Sequence, residues 1–323
     1  MSDTATSHRS EELEQHRVEL TGYCYRMLGS AFEAEDAVQE TLVRAWRGLH
    51  RFEGRASLRS WLYQIATNVC FDLLKGRQRR ARPIDLGPAS TADSPLDPPL
   101  AETTWVEPVP DSHVLAAGGD PADQAIARDS VRLAFVAALQ HLPPLQRAVL
   151  ILREVLRWRA TEVAELLGTS SASVNSALQR ARSTLGERGV SDSDPVQPMD
   201  DSQRELVTRY VDAFERYDLD SLVALLHADA TQSMPPYDLW LRGPEQMRAW
   251  WSGPGIECKG SRLVPIAANS SPAFGQYRPS GPRGRFEPFS VHVLELTGDR
   301  ITGLNYFIET GRLFSLFGLP PHL

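Results

Sequence analysis

The sequence predicts a multidomain protein in which two all-α domains, joined by an acidic linker, precede an α+β domain. A length of 323 residues favours two or three domains over one. Apolar residues recur with helical spacing through most of the first 189 residues, whereas strand-like runs begin only after residue 260. Helices followed by strands are typical of an α+β domain. The two predicted all-α domains are residues 10–82 and 125–189, and the acidic linker between them is 83–124. A second linker, 190–202, precedes the predicted α+β domain at 203–323.

Charge is segregated along the chain. The formal net charge of −7 argues against a polyanionic partner for the chain as a whole. Residues 51–82, however, hold eight arginines and lysines and only two carboxylates, Glu53 and Asp72. Residues 83–127 contain no lysine or arginine. The first segment is therefore suited to a polyanion, and the second predicts an acidic linker.

The cysteines and the amino terminus indicate the compartment. Cys24, Cys70 and Cys258 lie far apart without metal-ligand spacing, so we expect buried thiols, no bound metal and no cofactor. The polar amino terminus and the lack of a long apolar run predict no membrane span. A reducing cytoplasm is the simplest location.

Three amphipathic helices are predicted in the first domain, over residues 10–28, 32–49 and 58–75. The second has an apolar face that we expect to be buried, made of Ala37, Val38, Leu42, Ala45 and Trp46. Its opposite edge is acidic and polar, with Asp36, Gln39 and Glu40.

Residues 161–185, TEVAELLGTSSASVNSALQRARSTL, have the spacing of a helix-turn-helix with Gly168 at the turn. The outward face of the second helix could hydrogen-bond base edges or phosphates through polar and basic side chains: Ser171, Ser173, Asn175, Ser176, Gln179, Arg180 and Arg182. A helical hairpin with a solvated polar face is the alternative.

The segment EAEDAVQETLVRAWRGLHRFEGRASLRSWLYQIATNVCFDLLKGRQRR resembles the second conserved region of the extracytoplasmic-function sigma factors of bacterial RNA polymerase. The segment LPPLQRAVLILREVLRWRATEVAELLG and the helix-turn-helix resemble their fourth region. The resemblance implies binding rather than catalysis, with core RNA polymerase and promoter DNA as partners. A DNA-binding repressor would leave the acidic second helix and the basic third helix unexplained.

The resemblance also implies roles for particular residues. Asp36, Gln39 and Glu40 match the motif that docks on a coiled coil of the largest polymerase subunit, and the polymerase flap is a further expected contact. The helix-turn-helix would read the −35 element. The non-template strand of the −10 element would meet Arg51, Phe52, Arg55, Arg59, Trp61, Asn68, Phe71, Asp72 and Lys75. For Trp61 and Phe71, core packing is the alternative.

The acidic linker allows two interpretations. It could thread through the polymerase cleft, as sigma linkers do, or be a solvated tether. Trp105 lies in its middle, and we expect this side chain to be buried because an isolated exposed tryptophan is costly.

The phrase RYVDAFERYDLDSLVALLHADAT is similar to the opening of the SnoaL-like, or NTF2-like, family, a cone of curved sheet and helices that usually encloses a pocket. Tyr210 matches the tyrosine that donates a hydrogen bond to the oxyanion in the ketosteroid isomerases of that family. Met234, however, occupies the position of their catalytic base, and Ser290 occupies the position of their second oxyanion donor. We therefore expect a built-in regulator of the sigma regions, with a small-molecule-binding or isomerase-like enzyme as the alternative.

A pocket in this domain would be lined by Tyr210, Tyr237, Trp240, Trp250, Phe286, Ser290 and Tyr306, unless the aromatic rings simply fill the cone. An unknown small ligand and a separate anti-sigma protein are further candidate partners. The apolar tail GRLFSLFGLPPHL should dock on the sigma half or seal the cone.

Overall fold

The computed structural model describes residues 11–54, 56–118, 120–187, 199–308 and 310–323, which form two compact units. The first unit comprises the described residues as far as Arg80 together with those from Asp111 to 187. The second comprises Ala81–Pro110 and the described residues from 199 to Leu323. The greater part of the predicted linker therefore belongs structurally to the carboxy-terminal domain.

The first unit, here called the sigma unit, is helical. Its elements are α1 (Arg17–Leu28), α2 (Ala31–Gly48), α3 (Leu58–Leu74), α4 (Asp111–Val114), α5 (Pro121–Asp129), α6 (Leu133–Leu139), α7 (Pro144–Leu150, continued by a wide turn at Ile151–Val155), α8 (Ala160–Leu167) and α9 (Ser171–Gly186). Serine side chains cap α2, α3 and α9 by accepting backbone N–H bonds: Ser30, Ser57 and Ser170. Gly168 ends α8 with φ 61°, which confirms the predicted turn.

Both predicted helical domains pack into this one unit. The Arg147 guanidinium of α7 donates to the carbonyl of Met27 at the end of α1. Arg26 of α1 donates to the hydroxyl of Ser130 at 2.9 Å, and the ring centroids of Tyr63 and Trp158 lie 5.1 Å apart. The amino-terminal and helix-turn-helix modules therefore share a buried polar and aromatic interface.

The second unit holds α10 (Asp201–Arg216), α11 (Leu219–Ala224), α12 (Pro244–Ser252) and α13 (Leu313–Leu316). Its strands are β1 (Leu226–Ser233), β2 (Trp240–Arg242), β3 (Arg262–Ala268), β4 (Ser271–Arg278), β5 (Glu287–Thr297) and β6 (Arg300–Phe307), in the sheet order β2-β1-β6-β5-β4-β3. Only β1 and β6 pair in parallel among the described strands. The predicted hairpin joins β5 to β6, with Gly298 at φ 57°.

The linker is held to this domain by hydrogen bonds of its backbone to backbone and side-chain groups of the domain, near both linker ends. Ser90 N–H donates to the carbonyl of Trp240 at 2.8 Å, and the Trp240 indole donates to the carbonyl of Gly87 at 3.0 Å. Val109 N–H donates to Asn269 Oδ1 at 3.0 Å, and Asn269 N–H returns a bond to the Val109 carbonyl at 3.1 Å. The linker is therefore not a solvated tether here. The predicted burial of Trp105 is confirmed, because only 3 % of it is exposed.

The apolar tail packs on the sheet of its own domain. Tyr277 donates its hydroxyl proton to the carbonyl of Pro320 at 2.7 Å, and Phe286 and Leu323 exchange two backbone bonds of 3.1 and 3.0 Å. Gly275 leaves room for Leu319, since a Cβ there would meet Leu319 at 2.5 Å. Gly275 and Tyr277 alternate along β4 with side chains that face the cavity described below. The tail thus covers the opposite sheet face, and the expectation that it seals the cone is wrong.

Removing Leu319–Leu323 should destabilise the carboxy-terminal domain. The deletion uncovers the outer face of β4 and β5 and loses a buried leucine worth about 2 kcal/mol, so we expect its thermal midpoint to fall by about 4–8 °C. Differential scanning calorimetry measures this directly. Leu323→Ala is the control, because that side chain is 42 % exposed and the substitution keeps the backbone pair. An unchanged midpoint for the deletion would contradict a packing role for the tail.

Candidate functional site

The exposed face of α9 carries the side chains predicted to meet the −35 element. Val174, Ala177 and Leu178 turn inward and are buried. Ser171 is half-buried, and the remaining predicted contacts are exposed: Ser173, Asn175, Ser176, Gln179, Arg180 and Arg182. Arg182 pairs with Glu154 at 2.6 Å, an exposed contact that a phosphate could replace. The structure therefore brings these residues together on one accessible helix face.

Most residues predicted to meet the −10 element lie along one edge of α3 and the loop before it. Asn68, Asp72 and Lys75 are exposed, and Lys75 pairs with Asp72 at 2.7 Å. Phe71 beside them is half-buried, and Arg51 in the loop is exposed. The half-buried rings of Phe52 and Trp61 lie 5.0 Å apart. Arg55 lies outside the described residues.

Arg59 is separated from that edge. Its guanidinium donates to Glu19 Oε2 at 2.7 Å and lies over the rings of Tyr63 and Trp158, at 5.2 and 5.3 Å from their centroids. Trp158 comes from the helix-turn-helix module, immediately before α8. Arg59, which the sequence predicted to bind the −10 element, thus lies at the interface between the amino-terminal and helix-turn-helix modules. The sequence signal was Trp158 itself, an apolar ring in the polar stretch RWRAT.

The outer face of α2 carries Asp36, Gln39 and Glu40, all exposed as predicted. The structure adds two apolar side chains to this face, because Val43 is 41 % and Trp46 is 56 % exposed. The expectation that Trp46 belongs to the buried stripe is wrong. Its position seven residues after Gln39 puts it on the same face as the polar motif. Solvent exposure of so large a ring is characteristic of a surface that binds another protein.

The carboxy-terminal domain contains a cavity of about 280 Å³ between its helices and the inner face of the sheet. Four predicted pocket residues line it: Tyr237, Trp250, Ser290 and Tyr306. Tyr210 lies behind the lining, where its hydroxyl contacts that of Tyr306 at 3.5 Å. Trp240 and Phe286 lie elsewhere, one bonded to the linker at Gly87 and the other beneath the guanidinium of Arg262.

A chain of neutral polar groups forms the cavity floor. Gln276 Oε1 accepts from Ser290 Oγ at 2.7 Å and from His292 Nε2 at 2.9 Å. Because an amide oxygen only accepts, the His292 proton lies on Nε2, and Nδ1 accepts the Tyr210 hydroxyl at 3.1 Å. Burial lowers the pKa of His292 to about 3 and raises the pKa of Tyr306. The floor is therefore uncharged at neutral pH.

The cavity rim carries a thiol and an ion pair. Cys258 is half-buried and lines the cavity, and burial raises the pKa of its thiol. The other two cysteines are buried, as predicted for all three. Arg278 pairs with Glu257 at 3.1 Å and lies 4.3 Å from the centroid of the Phe289 ring, so the charges at the rim are compensated.

Three family models match the chain in order. Sigma-70 region 2 matches residues 13–80, Sigma-70 region 4 matches 132–185, and the SnoaL-like domain matches 207–304. No helix in the described part of the chain is both long and apolar enough to span a membrane.

Curated relatives resemble nearly the whole chain. The ECF RNA polymerase sigma factor SigG of Mycobacterium tuberculosis strain H37Rv is 45 % identical over 97 % of this chain and 84 % of its own length. The sigma factor SigJ of the same strain is 31 % identical over 68 % of this chain and 62 % of its own length. A crystal structure of SigJ from Mycobacterium tuberculosis covers 97 % of this chain and 100 % of that chain with a TM-score of 0.63 at 23 % identity, which supports the fold. The chain therefore belongs to the family of extracytoplasmic-function sigma factors of RNA polymerase, and it carries a carboxy-terminal SnoaL-like domain.

Proposed function

We propose that the SnoaL-like domain regulates initiation by holding the linker between the two DNA-binding modules. The observation that carries this proposal is that Ala81–Pro110 forms one compact unit with that domain. The linker leaves the sigma unit after Arg80 and returns to it at Asp111, so its two ends join the two modules. A domain that holds the linker thereby limits how far the modules can separate.

Promoter binding requires a large separation. The −10 and −35 elements lie about 25 base pairs apart, which is about 85 Å of duplex at roughly 3.4 Å per base pair. A compact unit of about 160 residues has a radius of gyration near 15 Å and a diameter of about 40 Å. The packed sigma unit is therefore too small to contact both elements at once, and the contact between Tyr63 and Trp158 must open.

The linker is long enough for the two modules to bind both promoter elements only when it is released from the SnoaL-like domain. Its roughly 30 residues could span about 100 Å when fully extended. Each docked segment shortens that reach, so the bonds at Ser90 and Val109 must break before both elements are bound. Core polymerase would drive this opening by binding the open form more tightly than the closed form.

Within this scheme the exposed side chains take the roles that their positions suit. Asp36, Gln39 and Glu40, with the added Val43 and Trp46, would contact the polymerase. The edge of α3 with the Phe52 loop would bind the −10 strand, and the outer face of α9 would read the −35 element. Arg59 would become available to DNA only after Trp158 leaves it.

We infer that the SnoaL-like domain acts by binding and not by catalysis. The isomerase base position holds Met234, and the neutral His292 is engaged by hydrogen bonds on both ring nitrogens. Proton abstraction needs a base whose pKa lies near the working pH, and a pKa of about 3 leaves His292 a weak base.

Weakening one linker anchor in the full chain tests the regulatory proposal. Asn269→Gly removes the side-chain acceptor of Val109 N–H and tolerates the φ of 52° at this position. An unpaired buried N–H costs about 1–3 kcal/mol, so we expect promoter-specific RNA synthesis with core polymerase to rise about fivefold or more. Reconstituted run-off transcription measures the effect.

Thr302→Ala is the matched control, because it removes a side-chain hydrogen bond within the same domain, from Thr302 to the Glu295 carbonyl at 3.2 Å, without touching a linker anchor, and should leave activity unchanged. A chain ended near Ser191 should show at least the activity of the Asn269 variant. Equal activity of all forms would refute the restraint, and a less active truncated chain would show that the domain supports initiation instead.

A further inference from the structure

The linker contributes to the wall of the cavity in the SnoaL-like domain. Leu96 lines the same cavity as Tyr237 and Trp250, although it is more than a hundred residues away from either in the chain. Resting on the function proposed above, we propose that this cavity binds a neutral, planar, mainly apolar molecule with one oxygen acceptor, and that the bound molecule holds the linker in its docked position.

The aromatic walls set the shape of the ligand. Phe214, Tyr237, Trp250 and Trp251 line the cavity, and flat rings of this kind favour a flat apolar molecule. The volume of about 280 Å³ lies just below the roughly 300–1,000 Å³ of small-molecule sites, so the ligand must be small. The ligand is therefore the size of a molecule with two or three fused or linked rings.

Two hydrogen-bond donors in the cavity lining favour a ligand that carries an oxygen acceptor. The buried Gln232 amide accepts from the Trp251 indole at 2.9 Å, whereas its own nitrogen contacts the Met234 sulfur at 3.8 Å. A thioether is a weak acceptor, so a carbonyl oxygen would be a better partner for that amide. The Tyr306 hydroxyl, at 3.5 Å from that of Tyr210, could turn toward the same kind of oxygen.

The electrostatics favour a neutral ligand over an ion. His292 and Tyr306 on the floor, and Tyr210 behind them, are uncharged, and a buried ionic group there would have no opposite charge beside it. The cationic group in the lining, Arg278, is already paired with Glu257.

Leu96 connects ligand binding in the cavity to the docked position of the linker. Two linker amides bracket it, Ser90 bonded to Trp240 and Leu100 bonded to Pro236 at 2.9 Å. A ligand that packs against Leu96 binds the docked linker more tightly than the released one, so binding must shift the linker toward the docked state.

Prodan, a neutral naphthyl ketone whose emission reports on polarity, is a suitable probe for the full chain. We expect saturable binding with a blue-shifted emission, at least tenfold tighter than binding of the anionic dye 1-anilinonaphthalene-8-sulfonate. Tyr306→Phe, which removes one hydroxyl, should weaken prodan binding about fivefold. Leu96→Asp should weaken it at least fivefold, and the matched control Leu86→Asp, at a linker leucine of nearly equal exposure, should not.

Amide hydrogen exchange tests the coupling without a transcription assay. Saturating prodan should slow exchange at Ser90 and Leu100 about tenfold in the unmodified chain and leave it unchanged in Leu96→Asp. If prodan does not bind, or if the anionic dye binds equally well, the proposed class of neutral, planar ligand is wrong. Tight prodan binding with unchanged exchange at both amides would overturn the coupling. Neither result would alter the effect expected of Asn269→Gly, which needs no ligand.

Discussion

Arg147→Met is expected to destabilise the sigma unit by about 3–5 kcal/mol, more than any other single change considered for that unit. The Arg147 side chain is 3 % exposed and donates to the carbonyl of Met27, to Gln140 Oε1 at 2.7 Å, and to the carbonyls of Gln140 and Leu142 at 3.0 and 3.1 Å. Desolvation lowers its pKa to about 10, so it remains charged at neutral pH and its hydrogen bonds are charge-assisted. Methionine fills much of the space but leaves several buried acceptors without donors.

Chemical denaturation of the full chain, followed by a probe in the sigma unit, would measure this loss. Arg147→Lys should recover only part of it, because an ammonium group cannot reproduce the planar fork of donors. Arg47→Met, at an exposed arginine on α2, is the control and should change stability by less than about 0.5 kcal/mol. A loss below about 1 kcal/mol for Arg147→Met would show that water replaces the missing donors and that Arg147 does not hold the modules together.

Local patterns were sufficient to predict the helices of both modules. Ser170 and Gly168 fix the ends of α8 and α9, and apolar residues at helical spacing fix their buried faces, so the outward side chains followed from the sequence. The hairpin at Gly298 was predictable for the same reason, since a turn and its flanking strands are neighbours in the chain.

Long-range placement was not predictable. Strand β1 (LHADATQS) is polar and lacks alternation, and it is a strand because β2 and β6 pair with it on either side. The docking of the linker depends on single backbone bonds such as Ser90 to Trp240, between residues 150 positions apart, which leave no periodic signal. The position of Leu96 in the cavity wall has the same origin.

The candidate site residues show the same difference between local patterns, which were predictable, and long-range contacts, which were not. The exposed residues of α9 and the polar motif of α2 were found because helical geometry alone places them. Arg59 was grouped with the −10 contacts by its charge and position in the chain, but its partners Glu19 and Trp158 come from distant segments. Gln232 and Gln276 were missed because neutral amides in strands give no sequence signal until their buried partners are known.

Trp46→Ala is expected to weaken binding to core RNA polymerase about thirtyfold or more. The Trp46 ring is 56 % exposed in the free chain, next to Val43 and the polar motif of Gln39 and Glu40. A tryptophan that becomes buried at the centre of an interface commonly contributes about 2 kcal/mol or more to binding, which corresponds to roughly thirtyfold in affinity. Because little of its surface is buried in the free chain, truncation should leave the stability of the sigma unit nearly unchanged.

Fluorescence anisotropy of labelled chain titrated with core polymerase would give the affinity, and thermal unfolding would check the fold. Leu145→Ala is the matched control: Leu145 is 47 % exposed and lies on α7, a different helix of the same unit. Salt dependence separates the contributions within the face, because Asp36→Asn should weaken binding chiefly at low salt, whereas the effect of Trp46→Ala should persist at high salt. If Trp46→Ala and Leu145→Ala bound core equally well, the exposed ring would not be part of the polymerase contact, and the polar motif would have to supply the affinity alone.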